Sequence, residues 1–376
     1  EIVVYEASDV ISFGACGLPY FVADQFDDPD AMAEFTPEGF AKRGIEVNIR
    51  HRVISVNPTE KTLEVENKDG RFTTHYDRLM IATGATEIIP PIAGIEKAGV
   101  HGLRVLNDGI ALKEALSSPA CRRVVVIGSG FIGLEMVEAL IHQNKQVRLI
   151  EMAPRVIPGA FDKEFSQLIE AQLHQAGVEL HLEESVQTIL GNEHVSGVVT
   201  SKGTYEADLV IVSTGVRPNT AFLQGSGLAQ LKNGAIIVDK CGATSLPAIY
   251  AAGDCATVHH LLRREPVYLP LATIANKLGR IVGENLAGVA SELPGTLGSA
   301  CVKVLALEAG RTGLSEDEAK AQEIDYRTVF VSDKNHTNYW PGQSDIHLKL
   351  IYEAQTHRIL GAQILGESGA VHRLHA

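Results

Sequence analysis

The stretch VVVIGSGFIGLE, Val124 to Glu135, changes character at its middle. Val124, Val125, Val126 and Ile127 are β-branched without interruption, the signature of a strand covered on both faces. Gly128, Gly130 and Gly133 then fall in a G-x-G-x-x-G pattern. Leu134, Val137, Leu140 and Ile141 recur at helical spacing, and the apolar run QVRLI ends in Glu151. The order is strand, glycine turn, helix, strand, acid. Gly128 permits the tight turn, Gly130 lets a pyrophosphate approach the backbone, and Gly133 lets helix and sheet pack closely. The N-terminus of the helix offers unpaired N–H groups and a partial positive charge to phosphate. Glu151 suits a ribose diol and repels a 2′-phosphate, which favours NADH, with NADPH the second candidate.

Working outward, two patterns occur twice. EIVVYE (Glu1 to Glu6) resembles QVRLIE (Gln146 to Glu151), and LMIATGA (Leu79 to Ala85) resembles VIVSTGV (Val210 to Val216). Each Thr-Gly follows its glutamate at a comparable distance, too long for a solenoid repeat. Two related dinucleotide-binding domains produce this spacing. Position 1 reads as the first residue of a buried strand, which places the first copy's glycine turn upstream of the sequence. Ile249-Tyr250-Ala251-Ala252 reads as a further strand leading into Asp254, the position where parallel sheets bind ligands. Pro270 to Leu286 has helical periodicity. After Pro294-Gly295 the strands Val302–Leu305, Thr328–Val331 and His347–Ile351 predict a separate α+β unit. The final SGAVHRLHA reads as a helix just starting.

Composition bounds the function classes. The chain has 376 residues, 45% of them apolar, enough for two or three domains with substantial cores. A net charge of −13 argues against wrapping nucleic acid, and no apolar run is long enough for a membrane helix. The five cysteines are widely spaced, with no disulfide framework and no CxxC pair for zinc, which points to a reducing cytoplasm and no metal site. Cys121, Cys241, Cys255 and Cys301 read as small buried apolar residues.

Cys16 is different. It lies in ISFGACGLPYF (Ile11 to Phe21), among glycine and alanine, with Pro19 suited to the first turn of a helix beginning near it. A helix N-terminus lowers a thiol's pKa and makes it nucleophilic. Residues 17 to 21 are Gly, Leu, Pro, Tyr and Phe, so a local dithiol–disulfide cycle is excluded. A redox role for Cys16 therefore needs an outside partner: a small thiol in a mixed disulfide, a peroxide giving sulfenic acid, or a persulfide.

Taken in order, SFGACGLPY, LMIATGA, VVVIGSGFIGLE, STGVRPN (Ser213 to Asn219), IYAAGDC (Ile249 to Cys255) and NYWPG (Asn338 to Gly342) resemble one family over essentially the whole chain. It is similar to the FAD-dependent pyridine nucleotide-disulfide oxidoreductases, in the single-cysteine branch of CoA-disulfide reductase, NADH oxidase, NADH peroxidase and persulfide reductase. The resemblance implies an α/β fold: two Rossmann-like domains binding FAD and NAD, one inserted in the other, plus a C-terminal α+β dimerisation domain. The implied segments are 1–104 and 223–292 for FAD, 105–222 for NAD, and 293–376 for a homodimer interface.

The same resemblance implies the site. Glu6, Val53, Thr83, Gly84, Arg104, Asp254, Leu271 and Ala272 would hold FAD. Gly128, Gly130, Ile132, Gly133, Glu151 and Gly215 would hold the nicotinamide nucleotide. Cys16 and Tyr339 would be catalytic, and Ser12, Arg43, Asn276 and Tyr339 would contact a CoA-type substrate; the alternative for Tyr339 is packing at the interface with Trp340. Ala15 stands where asparagine is common in CoA-disulfide reductases, and Trp340 where tyrosine is common. The implied activity passes electrons from NAD(P)H through FAD to Cys16 and on to CoA disulfide or a CoA persulfide or polysulfide. The alternatives are an NADH oxidase cycling Cys16 through sulfenic acid and, from another class, a nucleotide-binding redox sensor without turnover.

Overall fold

The computed structural model describes residues 1–367 and 369–375. The chain divides into two compact units, each assembled from separated segments. The first comprises Glu1–Leu18, Asp27–Thr86 and Val216–Thr296; the second comprises Pro19–Phe26, Glu87–Gly215 and Leu297–Ala376.

In the second unit the valine run becomes the strand Arg123–Ile127. It is the central member of a five-stranded parallel sheet, ordered Glu179–His181, Gln146–Ile150, Arg123–Ile127, Leu209–Val212, Val100–His101. Val124, Val125 and Val126 are at most 1% exposed, which is why this strand shows no polar alternation. The helix Phe131–His142 packs on the strands Arg123–Ile127 and Gln146–Ile150, burying Leu134, Val137 and Leu140. The helix Lys163–Gln175 buries Phe165, Ile169 and Leu173 at intervals of four.

The C-terminal strands of this unit form an antiparallel sheet ordered Ala300–Val304, Leu307–Gly313, Ile359–Gly366, Asp345–Glu353, Tyr326–Lys334. The expected strand Val302–Leu305 ends one residue earlier, because Leu305 adopts φ +57 at the turn. The segments Thr328–Val331 and His347–Ile351 lie inside longer strands. Lys349, fully buried, meets three carboxylates: Glu164 at 3.0 Å, Asp162 at 3.2 Å, and Glu316. The expected terminal helix includes residues 368 and 376, which lie outside the described residues; Val371–His375 is a 3-10 turn.

The first unit pairs Ile2–Tyr5 with Ile45–Asn48 and Leu79–Ile81 with Ile249–Ala251, both parallel. An antiparallel ribbon, Arg52–Asn57, Thr62–Asn67 and Gly70–His75, belongs to the same unit. The expected helix runs Ala272–Leu286 and buries Ile274, Leu278 and Val282 at intervals of four, each contributing about 1.5–3 kcal/mol. Position 1 is not the start of a buried strand. The strand begins at Ile2, which is 58% exposed, followed by Val3 at 38%. Among the described residues this strand pairs with Ile45–Asn48 alone.

Candidate functional site

The glycine turn of the second unit has the form its spacing demands. Gly128 sits at φ +99, and a Cβ there would come within 2.6 Å of the Ser213 carbonyl oxygen. A Cβ on Gly133 would strike the Gly128 carbonyl oxygen, so the helix can press against the strand end only with glycine at this position. Gly130 caps the helix Phe131–His142, and a Cβ there would meet nothing within 4 Å. That open approach to the first helical turn, where backbone N–H groups lack intrahelical partners, fits a pyrophosphate. Ile132 lies half-buried in the same turn. Gly215, at φ +107, follows the neighbouring strand Leu209–Val212 and is exposed.

Glu151 follows the strand Gln146–Ile150 and is held from inside. Its Oε2 accepts the Ser129 N–H at 2.8 Å and the Ser129 hydroxyl at 2.7 Å, while Oε1 accepts the Ala153 N–H at 2.8 Å. The acid and the glycine turn are thus one hydrogen-bonded assembly. Arg104, half-buried, donates its backbone N–H to Asp108 at 2.9 Å.

The first unit repeats part of this design. Glu6 follows the strand Ile2–Tyr5, and its Oε1 accepts the Ser8 N–H at 2.6 Å, the same two-residue step as Glu151 and Ala153. The register Leu79↔Ile249, Ile81↔Ala251 brings Thr83-Gly84 and Asp254 just beyond the carboxyl ends of adjacent parallel strands. Thr83 Oγ1 donates to the Asn219 carbonyl at 2.8 Å, and Gly84 O accepts the Asn219 N–H at 2.9 Å. Leu271 caps the helix Ala272–Leu286, and Val53 stands half-buried at a bulge in Arg52–Asn57. Acid, Thr-Gly and aspartate at the carboxyl ends of parallel strands fit a nucleotide cofactor, with the positive helix end available to an anionic group.

Cys16 is exposed in a 3-10 turn, Ala15–Gly17, that leads into the helix Leu18–Val22. The turn is pinned to a neighbouring segment: Gly14 N–H donates to Met32 O at 2.8 Å, and Ser12 O accepts the Glu34 N–H at 3.2 Å. Pro19 takes the second position of the helix, where its missing N–H costs no hydrogen bond. Cys255 is fully buried and donates to the Ile81 and Ala252 carbonyls, and burial pushes its thiol and that of Cys121 up. Two cysteines depart from the expected buried role. Cys241 is half-buried, and Cys301 is exposed because it takes an outward position in Ala300–Val304.

The expected substrate residues fall in both units. Ser12 is half-buried; Asn276 is exposed on the helix Ala272–Leu286. Arg43, also exposed, lies 4.9 Å from the centroid of the Phe35 ring, a cation–π contact that leaves hydrogen-bonding edges of the guanidinium open. These three belong to the first unit. Tyr339 belongs to the second, in the loop between Tyr326–Lys334 and Asp345–Glu353, and is 82% exposed beside Trp340 at 67%.

The structure adds residues that the sequence reading passed over. Glu135 is pushed up to about 7 by burial and by the negative charge of Glu138 one turn on. Glu138 is itself buried, pairs with Lys303, and accepts the Leu305 N–H at 2.9 Å. Two glutamates three apart on an otherwise apolar helix were the available signal.

Fold and site define a nucleotide-binding oxidoreductase, and the comparisons place it. The chain belongs to the pyridine nucleotide-disulphide oxidoreductase family, whose model matches residues 1–279, and the model of that family's dimerisation domain matches residues 299–375. It is therefore an FAD- and NAD(P)H-dependent oxidoreductase with an α/β nucleotide-binding body, and its C-terminal dimerisation domain supports a homodimer. It is 37% identical over 367 residues, 97% of this chain and 81% of the relative, to a CoA-dependent NAD(P)H sulfur oxidoreductase of Pyrococcus abyssi. A second relative, an NADH oxidase of Methanocaldococcus jannaschii, is 33% identical over 378 residues, 100% of this chain and 84% of its own. Among solved structures, an NAD-dependent persulfide reductase from A. fulgidus matches with a TM-score of 0.96 at 34% identity, covering 100% of this chain and 71% of that one.

Proposed function

We propose that this chain reduces a CoA-bound sulfur species, a CoA persulfide, polysulfide or disulfide, through Cys16, with NADH as electron donor. The observation that carries the reading is an exposed thiol on a pinned helical turn, without a second cysteine in Gly17–Phe21 to close a local disulfide. Segments 1–104 and 223–292 form the FAD-binding part, 105–222 the NAD-binding part and 293–376 the dimer interface. Glu6, Val53, Thr83-Gly84, Arg104, Asp254, Leu271 and Ala272 hold FAD; Gly128, Gly130, Ile132, Gly133, Glu151 and Gly215 hold the nicotinamide nucleotide. FAD, when bound, supplies the two-electron relay between the nicotinamide and a thiol. Cys16 attacks the CoA-bound sulfur and forms a mixed disulfide, releasing hydrosulfide from a persulfide or CoA thiolate from the disulfide. Arrival of an electron pair at the mixed disulfide restores the Cys16 thiolate and frees the remaining CoA thiolate. Ser12, Arg43 and Asn276 bind the CoA moiety, Arg43 through a phosphate, and Tyr339 donates a proton to a leaving thiolate. Among the described residues no helix is long and apolar enough to cross a membrane, and the sparse, widely spaced cysteines of the sequence support a cytoplasmic setting.

The test uses the full-length, FAD-loaded protein. Anaerobic NADH is expected to bleach the flavin, and CoA persulfide is expected to give one sulfide per NADH. Cys16→Ser is expected to keep FAD and its bleaching while losing sulfide release by more than about a hundredfold. Sulfide release at the parent rate in Cys16→Ser rejects the reading. A second reading, oxygen reduction with Cys16 passing through sulfenic acid, is supported by the exposure of that thiol and by relatives that are NADH oxidases. NADH consumption in air that exceeds consumption with the CoA substrates favours it.

A further inference from the structure

We propose that Ser129, the central residue of the glycine turn, is a positioning residue that sets the preference for NADH over NADPH by clamping the Glu151 carboxylate in one orientation. The inference rests on the reading of Glu151 as the ribose-binding acid. Ser129 is 0% exposed and donates twice to one carboxylate oxygen, through its N–H at 2.8 Å and its hydroxyl at 2.7 Å. The direction of the hydroxyl is fixed. Ser129 Oγ accepts the Ile157 N–H at 3.3 Å, so its single proton is left for Glu151. Ile157 holds φ +46, a conformation a β-branched residue adopts only when its surroundings impose it, and it is 3% exposed. Its N–H also points to the Ser129 carbonyl at 3.2 Å. The loop after Glu151 therefore folds back onto Ser129 and locks the hydroxyl that locks the acid.

With the Ala153 N–H on Oε1, three of the roughly four acceptor positions of the carboxylate face inward. One remains on Oε1 for a ribose hydroxyl. The two-residue amide step is shared with Glu6 and Ser8, and at Glu151 the serine clamp acts together with it. A carboxylate pinned in this way cannot rotate away from a 2′-phosphate. NADP+ must meet the negative charge or break the clamp, whereas NAD+ meets an acceptor already oriented.

Calorimetric titration of NAD+ and of NADP+ into the full-length, FAD-loaded protein tests this without turnover. The parent protein is expected to bind NAD+ at least about tenfold more tightly than NADP+. Ser129→Ala is expected to shrink that ratio roughly fivefold, the scale of one hydrogen bond to a charged group. Glu151→Ala is expected to abolish the preference, and adding Ser129→Ala to Glu151→Ala is expected to change nothing further. An unchanged ratio in Ser129→Ala, an equal weakening of both nucleotides, or the same shift with Glu151 already removed overturns the proposal. A preference that survives Glu151→Ala instead overturns the reading of Glu151 beneath it, and the proposal falls with it. Ser129→Gly, which the turn accommodates, runs the same comparison if the alanine variant does not fold.

Discussion

Glu135 shows how one buried acid acquires a pH signature. Burial and the adjacent Glu138 push it up to about 7, so the folded protein holds a proton that the unfolded chain releases near pH 4.5. A raised carboxyl pKa contributes stability that is complete below pH 4.5 and is lost as pH rises through 7. Glu135→Gln removes the titration. It is expected to raise stability over the parent by about 3 kcal/mol at pH 8 and to leave the two nearly equal at about pH 4, read by urea unfolding at both pH values. An equal difference at both pH values contradicts the assignment. Residues also differ in how far the sequence exposes them. Glu151 was legible because an acid ending a parallel strand after a glycine turn has a known position. Ser129 was not, because the middle residue of G-x-G-x-x-G is free in the pattern. Its partners Glu151 and Ile157 stand 22 and 28 residues away along the chain.

At the level of elements, charge decides where three of them meet. Lys349 in the strand Asp345–Glu353 reaches Asp162 and Glu164 at the start of the helix Lys163–Gln175 and Glu316 at the start of the helix Glu316–Ala321. Burial holds the Asp162 carboxyl above the usual carboxylate range despite the lysine. Lys349→Met keeps the stem and removes the ammonium, leaving two or three carboxylates without their cation. The expected cost is about 3–5 kcal/mol, visible as a lower urea midpoint with an unchanged slope. A loss below about 1 kcal/mol shows that solvent already screens the cluster. The strand was readable from its apolar run His347–Ile351, whereas the helices Lys163–Gln175 and Glu316–Ala321 were not singled out from the sequence. The lysine was not, since His347-Leu348-Lys349-Leu350-Ile351 alternates in a way that assigns Lys349 to a solvent face. Only the acids contributed by two distant helices make its burial tolerable.

At the scale of the molecule, the strand Tyr326–Lys334 forms one edge of the C-terminal sheet and exposes Val329 at 45%, Phe330 at 40% and Val331 at 48%. Apolar side chains on an open edge strand are a liability in a monomer and an asset in an assembly. In a chain whose dimerisation domain supports a homodimer, this edge is the surface expected to meet a second copy. Val329→Asp combined with Val331→Asp is expected to shift the protein from dimer to monomer in sedimentation velocity at micromolar concentration. A persistent dimer places the interface elsewhere.

The amino-acid sequence by itself determined the two glutamate-ended strands, the glycine turn, the isolated Cys16 and the order of the motifs. Each of these is local chemistry with a fixed period or spacing. Tertiary structure alone decided which distant side chains close on those motifs: Ser129 on Glu151, Lys303 on Glu138, three acids on Lys349. It also decided that Cys301 faces outward. The reason is physical. Backbone geometry follows from neighbours along the chain, whereas burial and hydrogen-bond partnership depend on contacts that no sequence period encodes.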